Sequence, residues 1–140
     1  MATLHFRLIT PEKIAFEAAI SSVTLPTSTG EITVLPDHLP LMSQLGHGEL
    51  VVRAKGEEHL FAVSGGFVSI TGGSVDVLAE AADHADEVDI QKAEEAKARA
   101  EKLREAAQGE EEIATATAAL ERALAQIKVA NRKHKHHSRL

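Results

Sequence analysis

The 140-residue sequence contains no cysteine, no tryptophan and no tyrosine, and only four aromatic rings of the phenyl type, at Phe6, Phe16, Phe61 and Phe67. Without cysteine there is no disulfide framework, no thiolate zinc site and no cysteine nucleophile, so stability has to come from packing. The scarcity of aromatics and a net charge of −6 leave little with which to track phosphates or stack bases, so no nucleic acid partner is expected. The lack of Trp and Tyr also weighs against a carbohydrate-binding platform. No apolar stretch approaches the roughly 20 residues that a membrane-spanning helix needs. The start, Met1 to Arg7, lacks the basic-then-apolar order of a signal peptide, and the expectation is a soluble, cytoplasmic chain.

What is present falls into two halves with different patterning, meeting near residues 83 to 88. Up to about Ala82 the chain is rich in Val, Ile, Leu, Thr and Gly, in short alternating runs such as Leu4-His5-Phe6-Arg7-Leu8 and Ser74-Val75-Asp76-Val77. Alternation with period two predicts strands. Turn signals at Thr10-Pro11-Glu12, Ser28-Thr29-Gly30, Leu35-Pro36-Asp37, Gly46-His47-Gly48, Lys55-Gly56 and Thr71-Gly72-Gly73 separate them at hairpin spacing. An antiparallel sandwich or barrel of many short strands follows.

After Asp89 there is no proline and one glycine, Gly109, in a stretch dominated by Ala, Glu, Lys and Arg. This predicts two helices joined at Gln108-Gly109, the first capped by Asp86 or Asp89. Ala93, Ala96, Ala100, Leu103 and Ala107 recur at steps of three and four, as do Ile113, Ala116, Leu120, Ala123, Ile127 and Ala130, and the two rows are expected to face each other. Such a seam is weak, because each buried methyl contributes only about 0.8 kcal/mol. A hairpin of this kind suits an element that can leave its sandwich. In the free chain it is expected to lie folded on the sandwich of a monomer, since an apolar seam would otherwise face water.

No catalytic constellation is legible. Ser64-Gly65-Gly66 is not a nucleophile elbow, and no glycine-rich run fits a phosphate loop or dinucleotide fingerprint. A glycine pair inside a strand marks a bulge or a close backbone approach. His134, His136 and His137 lie in a basic tail with no carboxylate to complete a metal site, so no metal is expected. His38, between Pro36 and Pro40, is an exposed turn residue that can serve as a contact. The last helix carries Glu110, Glu111 and Glu112 at its start and Lys128, Arg132 and Lys133 toward its end, which complements the helix dipole and also offers a basic end to an acidic partner.

Gly30-Glu31-Ile32-Thr33-Val34-Leu35-Pro36-Asp37-His38-Leu39-Pro40-Leu41 resembles the Gly-Glu-x-x-x-x-Pro-x-His-x-Pro-Leu signature of ATP synthase epsilon subunits, and Ser64-Gly65-Gly66-Phe67 resembles a second segment of that family. The resemblance runs from the first strand to about Asn131. It implies a flattened sandwich of about ten strands over residues 1–84 and a regulatory helical hairpin over 85–131, and leaves uncovered a basic tail over 132–140, whose own residues predict that it is flexible. It also implies a non-catalytic rotor subunit of a bacterial F-type, proton-transporting enzyme, at the cytoplasmic face of the membrane. One face of the sandwich would bind the γ subunit and its lower loops would rest on the ring of c subunits, with Glu31, Asp37 and His38 in the region meeting the ring and the foot of γ. The hairpin would extend into the α/β catalytic hexamer and block ATP hydrolysis, using Arg122, Lys128, Arg132 and Lys133 against an acidic segment of a β subunit.

Some members bind ATP at the folded hairpin through a motif resembling Ile/Leu-Asp-x-x-Arg-Ala. The corresponding run here, Val88-Asp89-Ile90-Gln91-Lys92-Ala93, keeps Asp89 and Ala93 but has Lys92 for Arg, while Arg99 matches a further basic position and Gln126 stands where nucleotide-binding members can have Arg. Lysine does not reproduce the planar fork of a guanidinium, so ATP binding is expected to be weak or absent and no cofactor is expected. Two readings from other classes stand beside the stalk subunit: an ATP-sensing module, and a free-standing ligand-binding sandwich.

Overall fold

The computed structural model describes residues 2–138, with side chains described through Arg132. Eight strands come first: β1 (Leu4–Ile9), β2 (Ile14–Ile20), β3 (Ser22–Thr27), β4 (Gly30–Val34), β5 (Leu41–Gln44), β6 (Gly48–Ala54), β7 (Glu57–Thr71) and β8 (Ser74–His84). A 3-10 turn at Ala85–Glu87 leads to α1 (Ile90–Ala106) and α2 (Glu110–Ser138).

The strands hydrogen-bond in the order β2-β1-β8-β7-β6-β3-β4, with β5 added on β7. All ladders are antiparallel except β1 with β8, where His5 to Ile9 pair in parallel with Ser74 to Leu78. The expected antiparallel sandwich is found, with this one parallel pair, which joins strands from opposite ends of the sheet-forming chain, where no hairpin imposes direction. The count of about ten becomes eight because β7 and β8 are long. The first half of β7 pairs with β6 and the second half with β5.

One core fills the inside. Leu4, Phe6 and Leu8 from β1, Val23 and Leu25 from β3, Leu50 and Val52 from β6, and Val75 and Val77 from β8 are all buried there. Along β7 the inward residues are Phe61 and Val63 before the glycines, then Val68 and Ile70 after them. The phase of the alternation therefore changes at Gly65 and Gly66, whose φ values of 61° and 120° are in the region that favours glycine. This is what lets one strand serve two parts of a curved sheet.

The other face of β6 and β7 meets α2. Val51, Leu60 and Ala62 pack with Ala85, Ala125 and Val129 into a second, smaller cluster, with Val88 against it. α1 packs chiefly on α2. Asp89 caps α1, its Oδ1 accepting from the Lys92 amide at 3.2 Å, and Glu112 reaches back to accept from the Gln108 amide at 2.9 Å.

The helix seam differs from the expected one. Ala93 and Ala100 of α1 and Ala116, Ala123 and Ala130 of α2 are buried, but Leu103 is 62% exposed and Ile113 43% exposed, and Leu120 and Ile127 are only half-buried. The reason is that α2 has two jobs: it turns Ala125 and Val129 to the sheet, and it approaches α1 closely enough that alanine alone fits between them. Its larger apolar side chains then fall on the remaining face. Because α2 runs to Ser138, residues 132–138 continue the helix that had been expected to end near 131.

Candidate functional site

Three surfaces stand out, two of which carry the residues singled out from the sequence. The first is the β4–β5 loop. The His38 amide donates to the Leu35 carbonyl at 3.2 Å, closing a turn with Pro36 and Asp37 at its centre. Asp37 takes φ 68°, a conformation that aspartate tolerates better than most residues. The turn holds out Leu35, 56% exposed, and Leu39, 80% exposed. His38 is bonded through Nδ1 to the Leu39 carbonyl at 2.7 Å. Glu31 is exposed and paired across the sheet with Pro26, near the β3–β4 turn. It thus sits near the start of β4, three residues and roughly 10 Å of strand before Val34, whereas Asp37 and His38 follow the far end of that strand.

The second surface is an apolar row that sequence reading did not single out. Ile14 pairs with Ile9, Ile9 with Leu78, Leu78 with Phe67, and Phe67 with Gln44. Directly paired side chains lie about 5 Å apart, so this is one line across five strands. Ile14, Leu78 and Phe67 are 52%, 49% and 60% exposed, and Met42, on the adjacent row, 75%. That adjacent row alternates charge, with Arg7 between Glu17 and Asp76. Arg7 Nε donates to Asp76 Oδ1 at 2.9 Å, and this hydrogen bond, with the charge of Asp76 behind it, raises the guanidinium above its ordinary value. The signal in the sequence was alternation itself: a strand that is apolar on both sides, as at Gly66-Phe67-Val68, has one side to give to a partner.

The third surface is the junction of hairpin and sandwich. A cleft of about 600 Å³ opens between α1 and α2 at the linker, lined among others by Asp83, Asp89, Lys92, Ala93, Arg99 and Arg122. All four residues of the degenerate nucleotide motif, Asp89, Lys92, Ala93 and Arg99, therefore come together here. So does Arg122, which was singled out for another role. Asp83, which sequence reading missed, organises this end: Arg122 lies 3.4 Å from its Oδ2, and Gln126 Nε2 donates to the same oxygen at 2.9 Å. Of the other basic residues of α2, Lys128 is exposed and Arg132 pairs with Glu49 and reaches to 3.9 Å from Glu58. The Lys133 side chain, like those of His134, His136 and His137, lies outside the described residues. Among the described residues no helix is long and apolar enough to cross a membrane.

The architecture is thus a sandwich with one open apolar row, carrying a helical hairpin packed by a small apolar cluster on another part of its surface. The chain belongs to the ATP synthase delta/epsilon chain family: residues 3–85 match its beta-sandwich domain and residues 86–131 its long alpha-helix domain. It is 40% identical over 127 residues to the ATP synthase epsilon chain of Nitratidesulfovibrio vulgaris, covering 91% of this chain and 95% of that one. It is 39% identical over 141 residues to the epsilon chain of Dehalococcoides mccartyi, covering 97% and 98%. Among solved structures, a chain of the Euglena gracilis mitochondrial ATP synthase, in an assembly of OSCP, F1 and c-ring, superposes with a TM-score of 0.75 at 26% identity over 86% of this chain and 77% of that one. A chain from the central stalk and c-ring of the Tetrahymena thermophila enzyme shares the fold, with a TM-score of 0.52 at 20% identity over 61% and 69%.

Proposed function

We propose that the chain acts as the epsilon subunit of an F-type ATP synthase, a non-catalytic member of the central stalk that couples proton transport to ATP synthesis and restrains ATP hydrolysis. The observation that carries this reading is the division of the sandwich surface. One part is covered by α2, while the Ile14–Ile9–Leu78–Phe67 row stays open with a charged row beside it. An isolated protein gains nothing from such a row, and a stalk subunit needs one to bind its shaft. The γ subunit is the partner for that row. The β4–β5 loop, with Asp37 and His38 among exposed leucines, is directed to the c ring and the foot of γ, with Glu31 on the rim.

The hairpin is the brake. Arg122, Lys128, Arg132 and Lys133 are its contacts with an acidic segment of a β subunit in the catalytic hexamer, and the docked state is the released one. The whole assembly works at the cytoplasmic face of a bacterial membrane, with membrane contact made only through the complex. A second reading is supported by the cleft at the hairpin base: Lys92, Arg99 and Arg122 are cations suited to phosphates, but Asp83, Glu87 and Asp89 line the same space. With Arg122 already engaged by Asp83, the cleft takes ATP weakly or not at all.

The test is reconstitution. The full chain, added to the parent enzyme stripped of this subunit, is expected to bind and slow ATP hydrolysis, whereas a chain with Arg122, Lys128, Arg132 and Lys133 all changed to Ala binds equally and slows it far less. Failure of the unmodified chain to bind sinks the stalk assignment; equal slowing by both sinks the brake contacts.

A further inference from the structure

Two of the basic side chains assigned to the brake are occupied when the hairpin is docked. Arg122 lies across Asp83 at the end of β8, at 3.4 Å. Arg132, ten residues further along the same helix, is held by Glu49 of β6 and faces Glu58 of β7. Glu58 is itself kept in place by Arg53, whose Nε donates to it at 3.1 Å. The carboxylates come from three different strands, and all of them face α2.

Glu49 is the most telling of the three. Its side chain is 8% exposed, and its Oε2 has no hydrogen-bond partner among the described residues. A carboxylate so far out of water depends on its cation, and losing that cation leaves a buried charge uncompensated until the site rehydrates. Apolar docking of α2 on the sheet, by contrast, rests on little more than Ala125 and Val129. The ion pairs at both ends are therefore a large share of what holds the helix down.

We infer that Asp83, Glu49 and Glu58 form an acidic template on the sandwich that stands in for the acidic partner segment, closing the hairpin by engaging the guanidinium groups of Arg122 and Arg132 that the brake would use. This inference rests on the brake reading above. Release of the hairpin and exposure of its cations are then one event, and the two acidic surfaces compete for the same two side chains. In the docked state Arg132 is taken up by Glu49 and Glu58 and Arg122 by Asp83, and α2 cannot lie on the sandwich and on the partner segment at once, so the docked and braking states exclude each other. The pairing also makes closure dependent on ionic strength: Arg122 and Asp83 are 49% and 26% exposed and are screened by salt, whereas Glu49 is shielded from it.

Since the chain has no native cysteine, a distance probe can be placed by Ser28→Cys in the β3–β4 turn and Gln108→Cys at the hairpin tip, both exposed. In the isolated full chain, Glu49→Gln with Glu58→Gln and Asp83→Asn is expected to raise the open-to-closed ratio about tenfold or more, given two- to fivefold for an exposed pair and more for a shielded one. The same triple variant, on the stripped enzyme, is expected to slow hydrolysis more strongly than the unmodified chain. Arg122→Ala with Arg132→Ala is expected to open the hairpin at least as far, since it leaves Glu49 buried without its cation, but to slow hydrolysis less.

An unchanged distance distribution in the triple variant, and no opening of the unmodified chain between about 20 mM and 0.5 M NaCl, overturns the template. Equal slowing by the open arginine variant and the open carboxylate variant overturns the sharing of cations. If the triple variant opens but no version, the unmodified chain included, slows hydrolysis, the brake reading falls and with it the competition, while the template stands as the closure device alone.

Discussion

Gly66 lies directly against the backbone of Leu78: a β-carbon on Gly66 would stand 1.8 Å from the Leu78 carbonyl oxygen. Next to it, a β-carbon on Gly65 would meet only the carboxylate end of Glu80, at 2.9 Å, which can swing away. Both glycines have positive φ, yet one is blocked by backbone and the other by a movable side chain. Gly66→Ala is therefore expected to destabilise the sandwich by roughly 3 kcal/mol or more, and Gly65→Ala by about 1 kcal/mol. Urea unfolding of the two variants checks this, and similar midpoints for both would show that the close approach at Gly66 has no energetic weight.

The open row predicts a separation of stability from assembly. Phe67→Ser combined with Leu78→Ser is expected to change folding stability by no more than about 1 kcal/mol, because the two residues are 60% and 49% exposed, and to weaken binding to the stripped enzyme by at least about tenfold, as loss of central apolar anchors does. Retained binding would move the shaft contact elsewhere on the sandwich.

Val129 is fully buried against the sheet and, with Ala125, supplies the apolar part of hairpin docking. Val129→Asp is expected to detach the hairpin and leave the sandwich folded, because the larger core of β1, β3, β6, β7 and β8 contains no residue of α2. Solution scattering should show a larger radius with the β-type circular dichroism retained. Loss of the sandwich signal would mean that the two clusters fold as one unit.

The cleft predicts a graded response to a planar fork. Titration of the chain with ATP is expected to give a Kd above about 1 mM, and Lys92→Arg to tighten it about tenfold through bidentate contact with phosphate. An unchanged Kd in the variant would remove Lys92 from the phosphate contacts.

Much of this was legible in the sequence because it depends on neighbours along the chain. Period-two alternation marked the strands, Asp89 its cap, and Gly109 the break between helices. Asp89, Lys92, Ala93 and Arg99 lie within three turns of one helix and its cap, so their meeting at one cleft needed only a helix. The partners that complete the cleft, Asp83 and Arg122, are 39 residues apart and became neighbours only when α2 lay back along the linker.

What the sequence by itself determined is the kind of each element and the main breaks between them, because backbone preference and side-chain period act over a few residues. Facing was decided by tertiary structure. Ile113, Leu120 and Ile127 had the spacing of a seam, yet the alanines took that place once α2 had to serve both α1 and the sheet. Glu49 reads as an ordinary surface residue of a strand and became a shielded carboxylate because Arg132, 83 residues away, came to lie over it. Burial of a charge is a property of what arrives from elsewhere in the chain, and no local pattern contains it.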